Sequence, residues 1–330
     1  VTISRKGFLK FAVSAAVSLL AGYLALRGVN LKQVFSEIFQ ANITLIALTL
    51  FLYVAAQVGR SLRWALLLAP LQPLSQRLLL PITSIGFLFV WILPARLGEM
   101  ARPYLLCQNS DISLSAAMGS VVLERLVDAT FLVAVLFLCL PVLHIPSWVL
   151  AAFRAFVFVL LTIVLLILLG SMPWWRQRFM QLAFRLLPQR IAEALVRFVD
   201  TFYTGMQGVA SIQKLLEILA MTLAIWGIGL LATWILLHAM GLRLNWLAAT
   251  TVLVFNALGI ALPAAPGFIG SFHYAVILAL GLFDVVKDRA LAFAILAHFL
   301  ILVVIVLMGV IFLNASGLKV SLALKRRDAG

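Results

Sequence analysis

Residues 148–171 read WVLAAFRAFVFVLLTIVLLILLGS, with Arg154 as the one charged side chain in the run. A helix needs about 20 mostly apolar residues to cross the hydrocarbon core of a bilayer, and this stretch is long enough. A surface helix of a soluble protein keeps a polar face along its length, and none is offered here. Blocks at about 8–26, 42–69, 124–143, 215–240 and 289–313 meet the same test. Two further blocks are apolar but interrupted. One runs from Leu78 to Leu93 and breaks at Pro94; the other runs from Trp246 to Leu262, breaks over Pro263 to Gly270, and resumes to Phe283.

The whole chain has the same character. Of its 330 residues, 65% are hydrophobic and 11% charged, and the mean hydropathy is +1.16. A soluble domain needs about 25% charged residues to cover its surface, so the composition excludes one. The formal net charge of +14 could suggest nucleic acid, but the cations sit in the breaks between apolar blocks. That placement reads as membrane topology and contact with anionic headgroups, with no nucleic-acid partner. Cys107 and Cys139 are isolated, and the four histidines lack ligand spacing, so neither a metal nor a cofactor is expected. Arg5, Lys6 and Lys10 precede the first apolar block, which is read as an uncleaved first helix because no convincing cleavage site follows.

The basic residues set the orientation. The segment 173–214 carries Arg176, Arg178, Arg185, Arg190, Arg197 and Lys214 against Glu193 and Asp200, which places it in the cytoplasm. The N-terminal cluster, the group Arg60, Arg63 and Arg77, and Lys325–Arg326–Arg327 should share that side. All four groups do so only if each interrupted block enters and leaves on one side. The expectation is an all-α polytopic membrane domain over 1–330, with about six full transmembrane helices, two re-entrant hairpins and both termini cytoplasmic. Arg27 and Lys32 then lie outside, a small count against this arrangement.

The two breaks share a pattern, Leu93-Pro94-Ala95-Arg96-Leu97-Gly98 and Leu262-Pro263-Ala264-Ala265-Pro266-Gly267. Both are Leu-Pro-Ala-x-x-Gly, at equivalent points of a first half (about 42–143) and a second half (about 215–313). Paired Gly/Pro-broken segments point to an inverted repeat with a site near the midplane. The segment between the halves alternates Trp174, Trp175, Phe179, Leu182, Leu186 and Leu187 with arginines at helical spacing. It fits helices in the cytoplasmic interface, or equally a solvated connector with one apolar face packed on the bundle.

The chemistry-bearing residues are the charges that an apolar chain should lack. Arg96, Glu99 and Arg102 fall within one arc of a helix, and Glu124, Arg125 and Asp128 repeat the device at the start of a span. A charge at the bilayer centre costs about 2.5–3.5 kcal/mol on insertion scales, so these groups must pair, line a wet cavity or lie near the interface. Two compatible readings stand: a salt-bridge clasp, or a cavity whose guanidinium groups take an anionic headgroup. In the second half, Pro266, Gly267, Gly270 and His273 mark either a ligand-approaching turn or a plain re-entrant turn. His273 either titrates near neutral pH or, the favoured reading, donates to a backbone carbonyl, while His238 and His298 serve as interior hydrogen-bonding residues. No catalytic constellation is present, so enzyme activity is not expected.

The run Leu93-Pro94-x-Arg96-x-Gly98-Glu99-x-x-Arg102, followed by Glu124-Arg125-x-x-Asp128, resembles the transmembrane domain of lysylphosphatidylglycerol synthases and related stand-alone flippase-like proteins. Gly59-Arg60-x-x-Arg63-Trp64 and the later Pro-Gly-x-x-Gly turn fit as well. The resemblance implies an integral inner-membrane protein of a prokaryote that moves a lipid or lipid-linked anionic headgroup between leaflets. In the synthases a separate soluble domain transfers the aminoacyl group, and no such domain is expected up to Gly330. A partner transferase and a homo-oligomer stay open, as does a non-transporting role as the anchor of a lipid-modifying or glycosyl-transfer enzyme. Two departures stand out: Phe268 replaces the family's second glycine, and His273 occupies its acidic position. They imply a more anionic or bulkier apolar substrate.

Overall fold

The computed structural model describes residues 5–93, 98–141, 147–206, 211–261 and 265–318. The segment 94–97 with Arg96, the residues 262–264 and the basic tail 325–327 lie outside the described residues. Thirteen α-helices account for most of the described chain, as bilayer solvation demands, because a helix satisfies its own backbone where water is absent.

The helices are α1 (Arg5–Leu26), α2 (Leu31–Phe39), α3 (Ile43–Leu68), α4 (Gln76–Ile92), α5 (Ala101–Asn109), α6 (Leu114–Cys139) and α7 (Ser147–Ser171). There follow α8 (Pro173–Leu186), α9 (Gln189–Gly205), α10 (Ile212–Ala239), α11 (Trp246–Ala261), α12 (Ser271–Gly281) and α13 (Lys287–Ala315). Local chemistry sets several starts. The side chains of Asn30, Asn42, Ser113 and Ser211 accept from backbone N–H groups in the first turns of α2, α3, α6 and α10.

Among the described residues four helices are long and apolar enough to cross a membrane: α3, α10, α13 and the stretch Phe153–Ser171 of α7. The block expected at 124–143 is part of a longer helix that starts at Leu114. Glu124 therefore sits about 15 Å along α6 rather than at the start of a span. The charges Glu124, Arg125 and Asp128 interrupt the apolar run, so a block counted from 124 leaves out the equally apolar 114–123 (LSAAMGSVVL).

Both interrupted blocks fold back on themselves. A Cβ on Gly98 would lie 2.1 Å from the carbonyl carbon of Phe89, and one on Gly86 would lie 2.1 Å from Cγ of Arg102. Position numbers that rise on one arm as they fall on the other define an antiparallel return of α5 along α4. Likewise a Cβ on Gly259 would meet Ala275 at 2.6 Å, which holds α12 against α11. The arms are short: α5 and α12 hold 9 and 11 residues, about 14 and 16 Å, against a hydrocarbon core of about 30 Å.

The packing exchanges partners between the halves. Helices α3 and α10 run against each other. In the first half α4 packs on α5 and α5 on α6; in the second α11 packs on α12 and α12 on α13. Across the halves α4 meets α13, and α11 meets α6. The helix before each half obeys the same exchange, with α2 on α13 and α9 on α6.

The two described helices of 173–214 pack differently. Helix α9 lies close on α6: Gly119 and Gly205 are so close to Phe202 O and Ala116 O that no side chain would fit, and the Ser115 and Thr201 hydroxyls meet. Helix α8 instead leaves Trp174, Trp175, Leu182, Phe184 and Leu186 exposed beside its arginines.

Candidate functional site

The charged residues converge where α3, α5, α6 and α10 meet around Phe87 of α4. Glu124 is fully buried, and Arg63 and Arg102 are 1% and 2% exposed. Arg63 makes a two-pronged contact with Asp128, Nη1 to Oδ1 at 2.6 Å and Nη2 to Oδ2 at 2.9 Å. Its Nη2 also donates to Glu124 Oε1 at 3.1 Å, and Nη1 to Thr222 Oγ1 at 3.1 Å. Trp226 Nε1 donates to Asp128 Oδ1 at 3.1 Å. Glu124 and Asp128, one helical turn apart, thus present one face to a single guanidinium from α3. This is a clasp that joins three helices.

Arg102 is held differently. Its stem lies in the gap left by Gly86, and its guanidinium carbon sits 4.3 Å from the ring centre of Trp64. Ser120 fixes that indole by accepting from Nε1 at 3.1 Å. Arg102 Nη2 approaches Glu124 Oε2 at 2.9 Å, an ion pair whose angle is too bent for a directed hydrogen bond. Among the described residues Nε and Nη1 also lack an acceptor. A buried guanidinium with unmade hydrogen bonds forfeits much of the compensation that burial requires.

Two more arginines turn to the same aromatic ring. Arg60, Arg102 and Arg125 have guanidinium carbons 5.4, 5.5 and 6.0 Å from the centre of Phe87. Arg125 is 43% exposed at its side chain and 3.6 Å from Glu124 Oε1, and Glu99 lies within electrostatic reach of it. Arg60 donates to Gln57 Oε1 at 3.2 Å. Among the described residues four guanidinium groups therefore face three carboxylates, an excess of one positive charge. The buried Thr83 and Ser84 hydroxyls on α4 and Gln57 Nε2 on α3 also lack partners among the described residues.

The sequence reading brought forward Glu99, Arg102, Glu124, Arg125 and Asp128, and these form one site. It corrects in two respects. Arg102 pairs across to Glu124 on α6, and Asp128 takes Arg63 rather than Arg125. Arg60 and Arg63 are no simple topology charges; Arg63 is the centre of the clasp. Their spacing of three inside an apolar block was the available signal. Arg96 lies outside the described residues.

The second-half turn stands apart and is aromatic. Pro266–Phe268 forms a 3-10 turn in which Gly267 and Phe268 take φ of 71° and 56°, and Gly270 takes 91°. Phe268 therefore carries a left-handed backbone at the position where the resemblance expects glycine. Its ring is buried edge-on to Trp91, centres 5.3 Å apart. Gly270 leaves no room for a side chain against Ser18 O of α1. The expected histidine bond to a carbonyl exists, but His298 makes it: Nε2 donates to Gly267 O at 2.8 Å. His273 packs edge-on against the His298 ring at 4.8 Å, and His298 stacks on Phe272 at 4.8 Å. His238 Nδ1 donates to Trp234 O at 2.9 Å, an interior bond as expected. The described contacts of 266–273 run to α1, α4, α11 and α13. On α4, Trp91 is one turn beyond Phe87, so this helix touches both regions.

Apolar spans that enclose paired and partly unsatisfied charges define an integral, polytopic α-helical membrane protein. The chain belongs to the family described as "Lysylphosphatidylglycerol synthase TM region", which it matches over residues 8–309. A UPF0104 membrane protein of Methanocaldococcus jannaschii is 25% identical over 226 residues, covering 67% of this chain and 90% of that relative. No solved structure matches the chain.

Proposed function

We propose that the chain moves a lipid with an anionic headgroup between the leaflets, with Arg102, Arg125 and Arg60 as the headgroup site. One observation carries the reading. Arg102 is buried, lacks hydrogen-bond acceptors for Nε and Nη1 among the described residues, and sits in a cluster with surplus positive charge. A phosphate supplies acceptors and negative charge together, and a guanidinium edge matches it with two parallel bonds. Arg63, saturated by Asp128 and Glu124, belongs to the clasp that holds the site. The two readings of the charge set are thereby divided among its residues.

The short arms α5 and α12, each folded back on a longer helix, support two re-entrant hairpins. The exchange of packing partners between the halves supports an inverted repeat, with α2 and α9 as equivalent interfacial helices at opposite faces. Broken helices of this kind are tolerated at membrane depth where protein or water covers them. The basic segment 173–214 favours a cytoplasmic placement for that face and for both termini.

The test is reconstitution into liposomes with fluorescent phosphatidylglycerol and phosphatidylcholine, followed by chemical quenching of the outer leaflet. Wild type should move phosphatidylglycerol faster. Arg102→Gln should slow it about tenfold or more, the factor for one lost charge-assisted hydrogen bond. An Arg102→Gln protein that folds and moves the lipid at the full rate would overturn the reading. It would leave a membrane anchor for a partner enzyme as the better account.

A further inference from the structure

A second feature, remote from the charged cluster, lies where α7 ends. The apolar helix stops at Ser171, and Pro173 opens the arginine-rich α8 after one linking residue. Two adjoining hollows of about 310 and 320 Å³ occupy this elbow and share Gly170, Arg176 and Tyr203 as lining. Gly170 makes the groove: a Cβ there would lie 1.8 Å from the Tyr203 hydroxyl. The walls are Leu166, Phe179, Phe198 and Phe202. At the rim, Arg176 Nη2 sits 2.7 Å from Asp200 Oδ2, with the Arg176 side chain half exposed.

We propose that this groove holds one anionic phospholipid of the adjoining leaflet, its phosphate on Arg176 and an acyl chain along Leu166 and Phe198. The lipid is a fixed constituent rather than cargo, and the inference does not rest on the proposed transport. Three observations select this occupant. Leu166 and Leu168 on the same helix end are more than half exposed, so the groove opens at lipid depth. Its walls are aromatic and aliphatic, which suits a chain and not a free inorganic anion. Six cations stand against two carboxylates in 173–214, and Asp200 meets one edge of the Arg176 guanidinium, leaving capacity for a phosphate.

The competing explanation is that Arg176 and Asp200 merely brace the elbow, and opposite signs separate the two. In the lipid site Asp200 competes with phosphate for Arg176; in a brace the two residues act as one. The measurement is native mass spectrometry of the purified full chain, released from micelles with equimolar phosphatidylglycerol and phosphatidylcholine. Wild type should retain one phosphatidylglycerol in preference. Arg176→Gln should cut that retention about tenfold, while Asp200→Asn should keep or raise it. The same Arg176→Gln loss should appear in the Arg102→Gln background, which separates this lipid from any in the charged cluster. Equal losses in both elbow variants, retention unchanged by Arg176→Gln, or no such loss in the Arg102→Gln background would each overturn the site. If Arg176→Gln does not fold, Asp200→Asn decides: retention kept or raised supports the groove, and a fall overturns it.

Discussion

The two hairpins share a plan and differ in chemistry. The α4–α5 hairpin brings Arg102 to a buried carboxylate and shares its aromatic ring, Phe87, with two further arginines. The α11–α12 hairpin presents Phe268, Phe272 and His273 to Trp91 and His298, with hydrogen bonds but no described ion pair. The first is held by charge that must be balanced, the second by ring packing. Of the two hairpins, one thus carries the described ion pairs and the other the ring packing. Where the resemblance expects an acidic residue the chain has His273, and its ring packs against Phe272 and His298, consistent with that division.

The sharpest break of this contrast is at Arg63. Arg63→Gln leaves the buried Glu124 and the partly buried Asp128 beside fewer cations, and removing one partner of a buried pair costs about 3–5 kcal/mol. A large fall in the thermal midpoint in detergent should follow, and Arg63→Lys should restore little of it, because an ammonium cannot span both oxygens of Asp128 and Glu124 together. A stable Arg63→Gln protein would show that the first half does not depend on charge balance.

Gly86→Ala sharpens the comparison at a smaller cost. The added methyl overlaps the Arg102 stem, and overpacking of this kind costs about 1–3 kcal/mol. Transport of the anionic lipid should fall more than stability does, since the guanidinium is displaced from Trp64. The smallest effect is expected in the second half. His298→Phe keeps the ring stack but loses the donor to Gly267 O, about 1 kcal/mol. The midpoint should shift slightly while the ratio of phosphatidylglycerol to phosphatidylcholine movement stays constant. A changed ratio would assign the aromatic half a part in headgroup selection.

The sequence showed the charged set because charges are scarce in so apolar a chain, and Glu124 and Asp128 at a spacing of four had to share a face. The hairpin breaks were legible from Pro and Gly inside apolar runs. Three things were hidden for physical reasons. Arg63 lies between Arg60 and Arg77 near the end of a block, where a topology charge and a clasp look alike. The first ten residues of α6 are apolar but are cut off from the rest by Glu124, Arg125 and Asp128, so a block counted from 124 starts the helix late. Phe268 breaks the glycine pattern, and only the packing against Trp91 explains what the bulky ring does in a left-handed turn.

One consequence follows from α4. Phe87 and Trp91 lie on successive turns of one short helix, about 6 Å apart along its axis. A helix that short has no joint between them. Any tilt that a headgroup imposes at Phe87 is therefore delivered to the ring stack at Trp91 as a lever delivers force, and α4 makes the two halves of the molecule mechanically one.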